Sequence, residues 1–360
     1  MKISLFYEMQ ISEPDPEREA RLFHECVEQV VLADALGYHA VWAVEHHGLY
    51  EYSHSSAPET FLAFIAARTE RIRLGHGVTL TPFRYNHPIR IAERIATLDI
   101  LSKGRVNWGS GKSASKTEQL AFENNIDELH GQWLEALEMI PRMWQDDIFE
   151  YLGKYYDIPP IKIVPKPVQK PHPPIFAACS RPESAALVGS LGIGALNFAV
   201  GNAEQIRANV QSYRAAVQKA APKRRQLNNH FACTPPALCL DDDRKACEYG
   251  LRGARFFNQA LAHYYSPSKK QPGPVEANRS FLSDKQLEGN MSLRLSDEAL
   301  GLNVVGDPWH CRETISRYQA AGVDELILIM QLGTVPHELI MQSIRTLGEK
   351  VLPHVMGRSD

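Results

Sequence analysis

What most restricts the fold of this chain is a recurrence: short apolar, β-rich runs alternate with amphipathic helical patterns from one end to the other. It begins at Ile3–Tyr7, followed by adjacent apolar rows at spacing four (Leu22, Cys26, Val30 beside Phe23, Val27, Val31), which is a strand and then a helix. The cycle returns as Ala40–Val44 before Phe61, Leu62 and Ile65, as Ile72–Leu80 before Ile91, Ile95 and Leu98, and as Val106–Gly109 before a helix around Trp133–Trp144. Pro174–Ala178 with Glu183–Ser190 and Ile193–Ala199 with Ala203–Ala220 continue it. His230–Leu240 with a helix through Tyr265, then Glu325–Met330 with a helix carrying Ile340, Ile344, Leu347 and Val351, complete eight units. Eight strand–helix units with short connections and no compositional break between halves fit an α/β fold of the (β/α)8 TIM-barrel type better than an open doubly wound sheet. One domain spanning 1–360 is expected.

Two segments interrupt the cycle. The larger, 266–303, contains Pro267, Pro272, Gly273 and Pro274 and lies between the seventh helix and the eighth strand, where it reads as an irregular insert. A barrel does its chemistry at the C-terminal ends of its strands, so this insert is a candidate active-site lid; a subunit contact or a plain surface loop is the alternative. The smaller, 149–173, holds six prolines and reads as an extended excursion before strand five.

Charge and composition narrow the function classes. Lys+Arg of 39 against Asp+Glu of 42 gives a net charge of -3, and no long basic run offers a footprint for nucleic acid or an acidic membrane surface. No stretch reaches the ~18 apolar residues needed to span a bilayer, and the apolar run in Met1–Glu8 is too short for the centre of a signal peptide. Six cysteines without a C-x-x-C pair are expected to be reduced, mostly buried thiols of a cytoplasmic protein.

Three clusters carry chemical potential. Glu45-His46-His47 closes the second strand, which on a barrel is the catalytic rim. Consecutive strand residues point to opposite faces and there is no H-E-x-x-H, so no metal is expected; a single histidine acting as acid or base is favoured over histidines that merely cap the strand. Gly104–Ser113 ends the fourth strand in small residues and then offers Lys112, a cation suited to a phosphate. Ala178–Ser184 turns the fifth strand into a helix with Pro182 in its first turn, and free N–H groups at such a start also bind phosphate. Together they outline a phosphate pocket with a histidine across the barrel mouth. The chain has no G-x-G-x-x-G after its first strand, no P-loop and no G-x-S-x-G elbow. The carboxylate groups Asp146-Asp147 and Asp241-Asp242-Asp243 fall at a helix end and in a turn, where a solvated role is expected.

Taken in order, Gly37–Trp42, Glu45-His46-His47, Arg71–Gly75, Asn86-His87-Pro88, Leu98–Arg105, Val305–Pro308 and Val351-Leu352-Pro353 resemble the bacterial luciferase-like, flavin-dependent monooxygenases, including the catalytic luciferase subunit, over nearly the whole chain. The resemblance implies a (β/α)8 barrel with an insert before its last strand. It places His46 near the reactive edge of FMN, where reduced FMN (FMNH2) and O2 give a flavin C4a-peroxide. It places Glu45 among the cofactor-binding residues, Lys112, Cys179, Ser180, Glu183 and Ser184 around the phosphate, and Gly77, Val78 and Thr79 under the ring, with a non-proline cis peptide near Gly77–Val78. It further implies a separate NAD(P)H:flavin reductase supplying FMNH2, and a homodimer formed through helices two and three, where Phe61, Phe64 and Ile65 make an apolar stripe that core packing explains equally well. Gly111, Ser115 and His130 stand where luciferases place a cysteine, a tyrosine and an arginine, which argues against light emission. Rim aromatics (Phe6, Phe83, Tyr85, Trp108, Phe198, Phe257, Tyr264) point to an apolar or aromatic organic substrate. Two alternatives remain open: hydride transfer with the deazaflavin F420, and a non-catalytic luciferase-like partner subunit.

Overall fold

The computed structural model of the protein describes residues 1–198, 203–221, 225–266, 277–294 and 303–355. Eight parallel strands close into one barrel: Lys2–Tyr7, Ala40–Ala43, Arg73–Leu80, Val106–Gly111, Ile175–Cys179, Gly194–Asn197, Phe231–Cys233 and Glu325–Leu328, each paired with the next and the last with the first. Closure is set where Lys2 lies opposite Glu325 and Ile3 opposite Leu326, while the other edge of the first strand pairs Leu5 with Val41. The (β/α)8 barrel is therefore the fold, and the open sheet is excluded. Most of these strands are buried throughout, which is why they read as apolar runs rather than as alternating patterns.

The surrounding helices start on sequence signals. Those at Pro16–Leu36, Pro58–Ala66, Pro88–Leu101, Pro182–Ser190 and Pro308–Ala320 all open on proline, whose missing N–H has no intrahelical partner to lose there. Asp15 accepts from the Glu17 and Arg18 amides, and Asp307 from that of His310.

Several expectations need correction. His230–Leu240 is not one strand: Phe231–Cys233 joins the barrel, whereas Ala237–Cys239 pairs with Val304–Gly306 in a separate two-stranded parallel sheet. Pro235 and Pro236 stand between them, and neither has an N–H with which to extend the barrel ladder. The segment 266–303 is not wholly irregular, since it holds the helix Asp284–Leu293, capped reciprocally by Ser283 and Gln286; residues 267–276 and 295–302 lie outside the described residues. The proline-rich excursion includes an antiparallel pair, Phe149–Leu152 with Asp157–Ile161. Trp108 is not a rim aromatic: it is buried edge-to-face against Trp144, with ring centroids 5.4 Å apart, between barrel and helix layer. Of the apolar stripe, Phe61 and Ile65 are core and Phe64 alone is exposed.

The turn carboxylates are not simply solvated either. Asp242 caps the helix Asp243–Tyr265, and Asp243 is bonded through both oxygens by Arg294, which also meets His310 Nε2 at 2.6 Å. Asp243, Asp307 and His310 lie close enough to share a cation, and the Arg294 guanidinium supplies that positive charge. All six cysteines are unpaired and buried, and no described helix is long and apolar enough to cross a membrane.

Candidate active site

The second strand ends at Ala43, and the following residues carry His46 over the C-terminal end of the barrel, where two carboxylates grip it. His46 Nδ1 lies 2.9 Å from Glu118 Oε1, and Nε2 lies 3.7 Å from Glu8 Oε2 and 3.5 Å from the Tyr265 hydroxyl. Glu118 is fixed independently of the imidazole, accepting from the His47 amide at 2.9 Å and from the Ser113 hydroxyl at 2.6 Å. Glu8 accepts from the Tyr52 hydroxyl at 2.8 Å. The rings of Tyr52 and Tyr265 stand edge-on to the imidazole, with centroids at 5.6 and 6.3 Å. Glu8 and Glu118 are 1% and 0% exposed, so their charges act in a medium that screens them far less than water does.

Electrostatics follow from this packing. Burial alone would lower the His46 pKa, but the Glu118 and Glu8 carboxylates outweigh it and raise the value to about 9. Burial raises Glu8, and the neighbouring imidazole and the Tyr52 hydroxyl only partly offset this. Glu118 is lowered: its burial is overcome by His46 and by hydrogen bonds from His46, Ser113 and the His47 amide.

Glu45 is also buried, but its carboxylate accepts from the Leu80 amide at 2.8 Å and the Asn86 side chain at 2.7 Å, and meets His47 Nε2 at 3.3 Å. It thereby ties the end of the second strand to the third. That third strand bulges: His76 lies opposite Trp108 and Thr79 opposite Ser110, leaving one extra residue between them, and the Gly77–Val78 peptide is cis. The bulge turns Val78 onto the fourth strand so closely that a Cβ on Gly111 would lie 2.4 Å from Val78 Cγ2, so any larger side chain there must displace Val78.

Gly77 and Val78 are half-buried, Thr79 is buried, and Lys112 beyond the fourth strand is exposed, as are Ala178 and Ser180 at the end of the fifth. These positions lie at or just past the C-terminal ends of three adjacent barrel strands. Beyond the fifth strand the Ser184 hydroxyl accepts from the Ser180 and Arg181 amides, both at 3.1 Å, and Glu183 is exposed. Cys179 is buried beside Asn197, and burial pushes its thiol up to about 12, so it is no nucleophile. The sequence did not single out Glu8, Tyr52, Glu118 or Tyr265. Glu8 had a signal, a carboxylate closing the first barrel strand. Glu118 had another, the Ser115-x-x-Glu118 spacing of a helix start, although here the glutamate turns to His46 instead of back to its cap.

A closed parallel barrel with a titratable group at the strands' C-terminal rim, on the same end as a cation and a helix start, is the layout of a barrel enzyme. The chain belongs to the luciferase-like monooxygenase family, whose model matches residues 1–325. It is 27% identical to the oxygenase component of a flavin-dependent trigonelline monooxygenase from Acinetobacter baylyi, over 98% of this chain and 95% of that protein. It is 34% identical to an F420-dependent hydroxymycolic acid dehydrogenase from Mycobacterium tuberculosis, over 50% of this chain and 54% of that one. Among solved structures it resembles monooxygenase RslO1 from Streptomyces bottropensis, with a TM-score of 0.81 and 27% identity, covering 98% of this chain and 99% of that chain.

Proposed function

We propose that the protein is the oxygenase component of a two-component FMN-dependent monooxygenase: it takes FMNH2 from a separate NAD(P)H:flavin reductase and uses O2 to oxygenate an apolar or aromatic small molecule. The observation that carries this reading is His46, gripped by buried carboxylates at the barrel mouth, on the same rim as Gly77–Val78, Lys112 and Ser180. That rim suits a flavin. The Gly77–Val78 backbone is partly exposed to a flat ring, Lys112 offers a charge, and the helix start after Ser180 offers N–H groups to a phosphate.

Bound FMNH2 would supply the electrons that activate O2. The chain's own residues supply the rest. Lys112, Ser180 and the helix-start backbone N–H groups of Glu183 and Ser184 hold the phosphate end, Gly77, Val78 and Thr79 wall the ring, and His46 holds a proton at Nε2 for the oxygen chemistry. Glu45 acts at one remove, by fixing the strand end that carries His46. A row of rings, Phe6 to Phe198 at 6.2 Å, Phe198 to Phe257 at 6.1 Å and Phe257 to Tyr52 at 5.6 Å, leads to His46 and supports an apolar or aromatic substrate. The lid expected of 266–303 falls in part on residues outside those described; a cytoplasmic homodimer completes the proposal.

A second reading, hydride transfer with F420, is favoured by the 34% identity to the mycobacterial dehydrogenase, but that match spans 50% of the chain, whereas the trigonelline enzyme's oxygenase component matches 98%. Anaerobic titration separates the two: reduced FMN binds more tightly than F420, and isotopically labelled O2, with a flavin reductase present, labels an organic product. Tighter binding of F420, or unlabelled product, overturns the proposal. His46→Asn lowers product formation by about 100- to 10,000-fold while largely preserving FMN affinity.

A further inference from the structure

We propose that Glu118 and Glu8 are positioning residues that hold His46 as a doubly protonated imidazolium, so that the site presents a proton donor rather than a base. The idea rests on the functional reading above for what His46 faces, and on geometry for the rest. An ionised carboxylate only accepts, so the 2.9 Å contact with Glu118 fixes a proton on Nδ1. In a neutral ring Nε2 would then present its lone pair to Glu8 Oε2, 3.7 Å away, a buried oxygen with no hydrogen-bond partner. A second proton, on Nε2, removes that opposition and makes the contact an ion pair across 3.7 Å.

Neither carboxylate depends on the imidazole for its place. The His47 amide and the Ser113 hydroxyl fix Glu118, and the Tyr52 hydroxyl fixes Glu8, so the field is preorganised. The titratable groups facing His46 come from every element packed around it: Glu8 from the first strand end, Glu45, His47 and Tyr52 from the segment after the second, Glu118 from the helix Lys116–Ala121, and Tyr265 from the end of the helix Asp243–Tyr265. Among the described residues no Lys or Arg is bonded to Glu8 or Glu118, so the imidazolium is the cation that faces both. The raised pKa of about 9 agrees with that pairing.

The test is a nitrogen NMR titration of ring-labelled histidine in the cofactor-free protein, with His46 assigned by comparison with His46→Asn. Wild type shows two protonated ring nitrogens at neutral pH. Glu118→Gln lowers the titration midpoint by about 1–3 pH units, Glu118→Asp restores most of it, and Glu8→Gln lowers it by less. In turnover, the alkaline limb of the pH–rate profile of Glu118→Gln moves down by the same interval. Both glutamines are isosteric, so failure of one variant to fold leaves the other to decide. A wild-type ring with a single proton at neutral pH, or a midpoint unmoved in folded Glu118→Gln, overturns the proposal. The titration needs no cofactor, so a preference for F420 would sink the functional reading and leave this one standing.

Discussion

Glu325 shows how one buried charge is made tolerable. At the N-terminal end of the barrel interior its carboxylate accepts from Ser4 at 2.6 Å and Trp42 at 3.0 Å and pairs with His230 Nε2 at 2.8 Å. Burial would raise its pKa, but the hydrogen bond and charge of His230 outweigh it and lower the value from 4.5 to about 2. A depressed carboxylate stabilises the fold above its unfolded pKa and stops doing so as pH falls through its folded one. Glu325→Ala should therefore cost about 3–5 kcal/mol by urea unfolding at neutral pH, because three donors lose a buried partner. The gap between the variant and wild type should narrow as pH falls from about 4.5 toward about 2. A gap independent of pH would contradict the pairing. At this scale the sequence was informative where chemistry is local: Glu45-His46-His47 is conspicuous at a strand end. For Glu8 and Glu118 the local signals, a carboxylate at a strand end and a helix-start spacing, do not name a partner, because tertiary folding brings Glu118 to His46 across 72 residues of chain.

Elements carry the site through close backbone packing. The third strand passes over the Trp42 indole so tightly that a Cβ on Gly75 would lie 2.3 Å from the ring, which is fully buried and cannot yield. Gly75→Ala should cost about 1–3 kcal/mol, read as a lower melting temperature, by overpacking; an unchanged melting temperature would show that strand and indole have slack. The bulge above it aims Val78 at Gly111. Element type was largely legible because strand and helix periods differ, and because proline marks five helix starts. Boundaries failed where hydrophobicity ran past the geometry: His230–Leu240 is apolar nearly throughout, yet its two prolines end the barrel strand. Short helices went unseen at Lys116–Ala121 and Asp284–Leu293, too brief or too polar to show a stripe, although cap spacings marked both.

For the whole molecule, topology links these scales. The parallel closure places the ends of strands two to five side by side, so His46, Gly77–Val78, Lys112 and Ser180 meet at one rim although they span more than a third of the sequence. The barrel itself was readable before any coordinates because an eightfold strand–helix count leaves few architectures. The insert's relation to the rim was not readable, since a segment without periodicity carries no direction. The most direct measurement is a crystal structure of the protein with FMN. The account predicts the phosphate against Lys112 and the start of the helix Pro182–Ser190, the ring across Gly77–Val78, and His46 beside the ring's oxygen-reactive edge. A flavin bound with its phosphate away from Lys112, or with its ring turned away from His46, would contradict it.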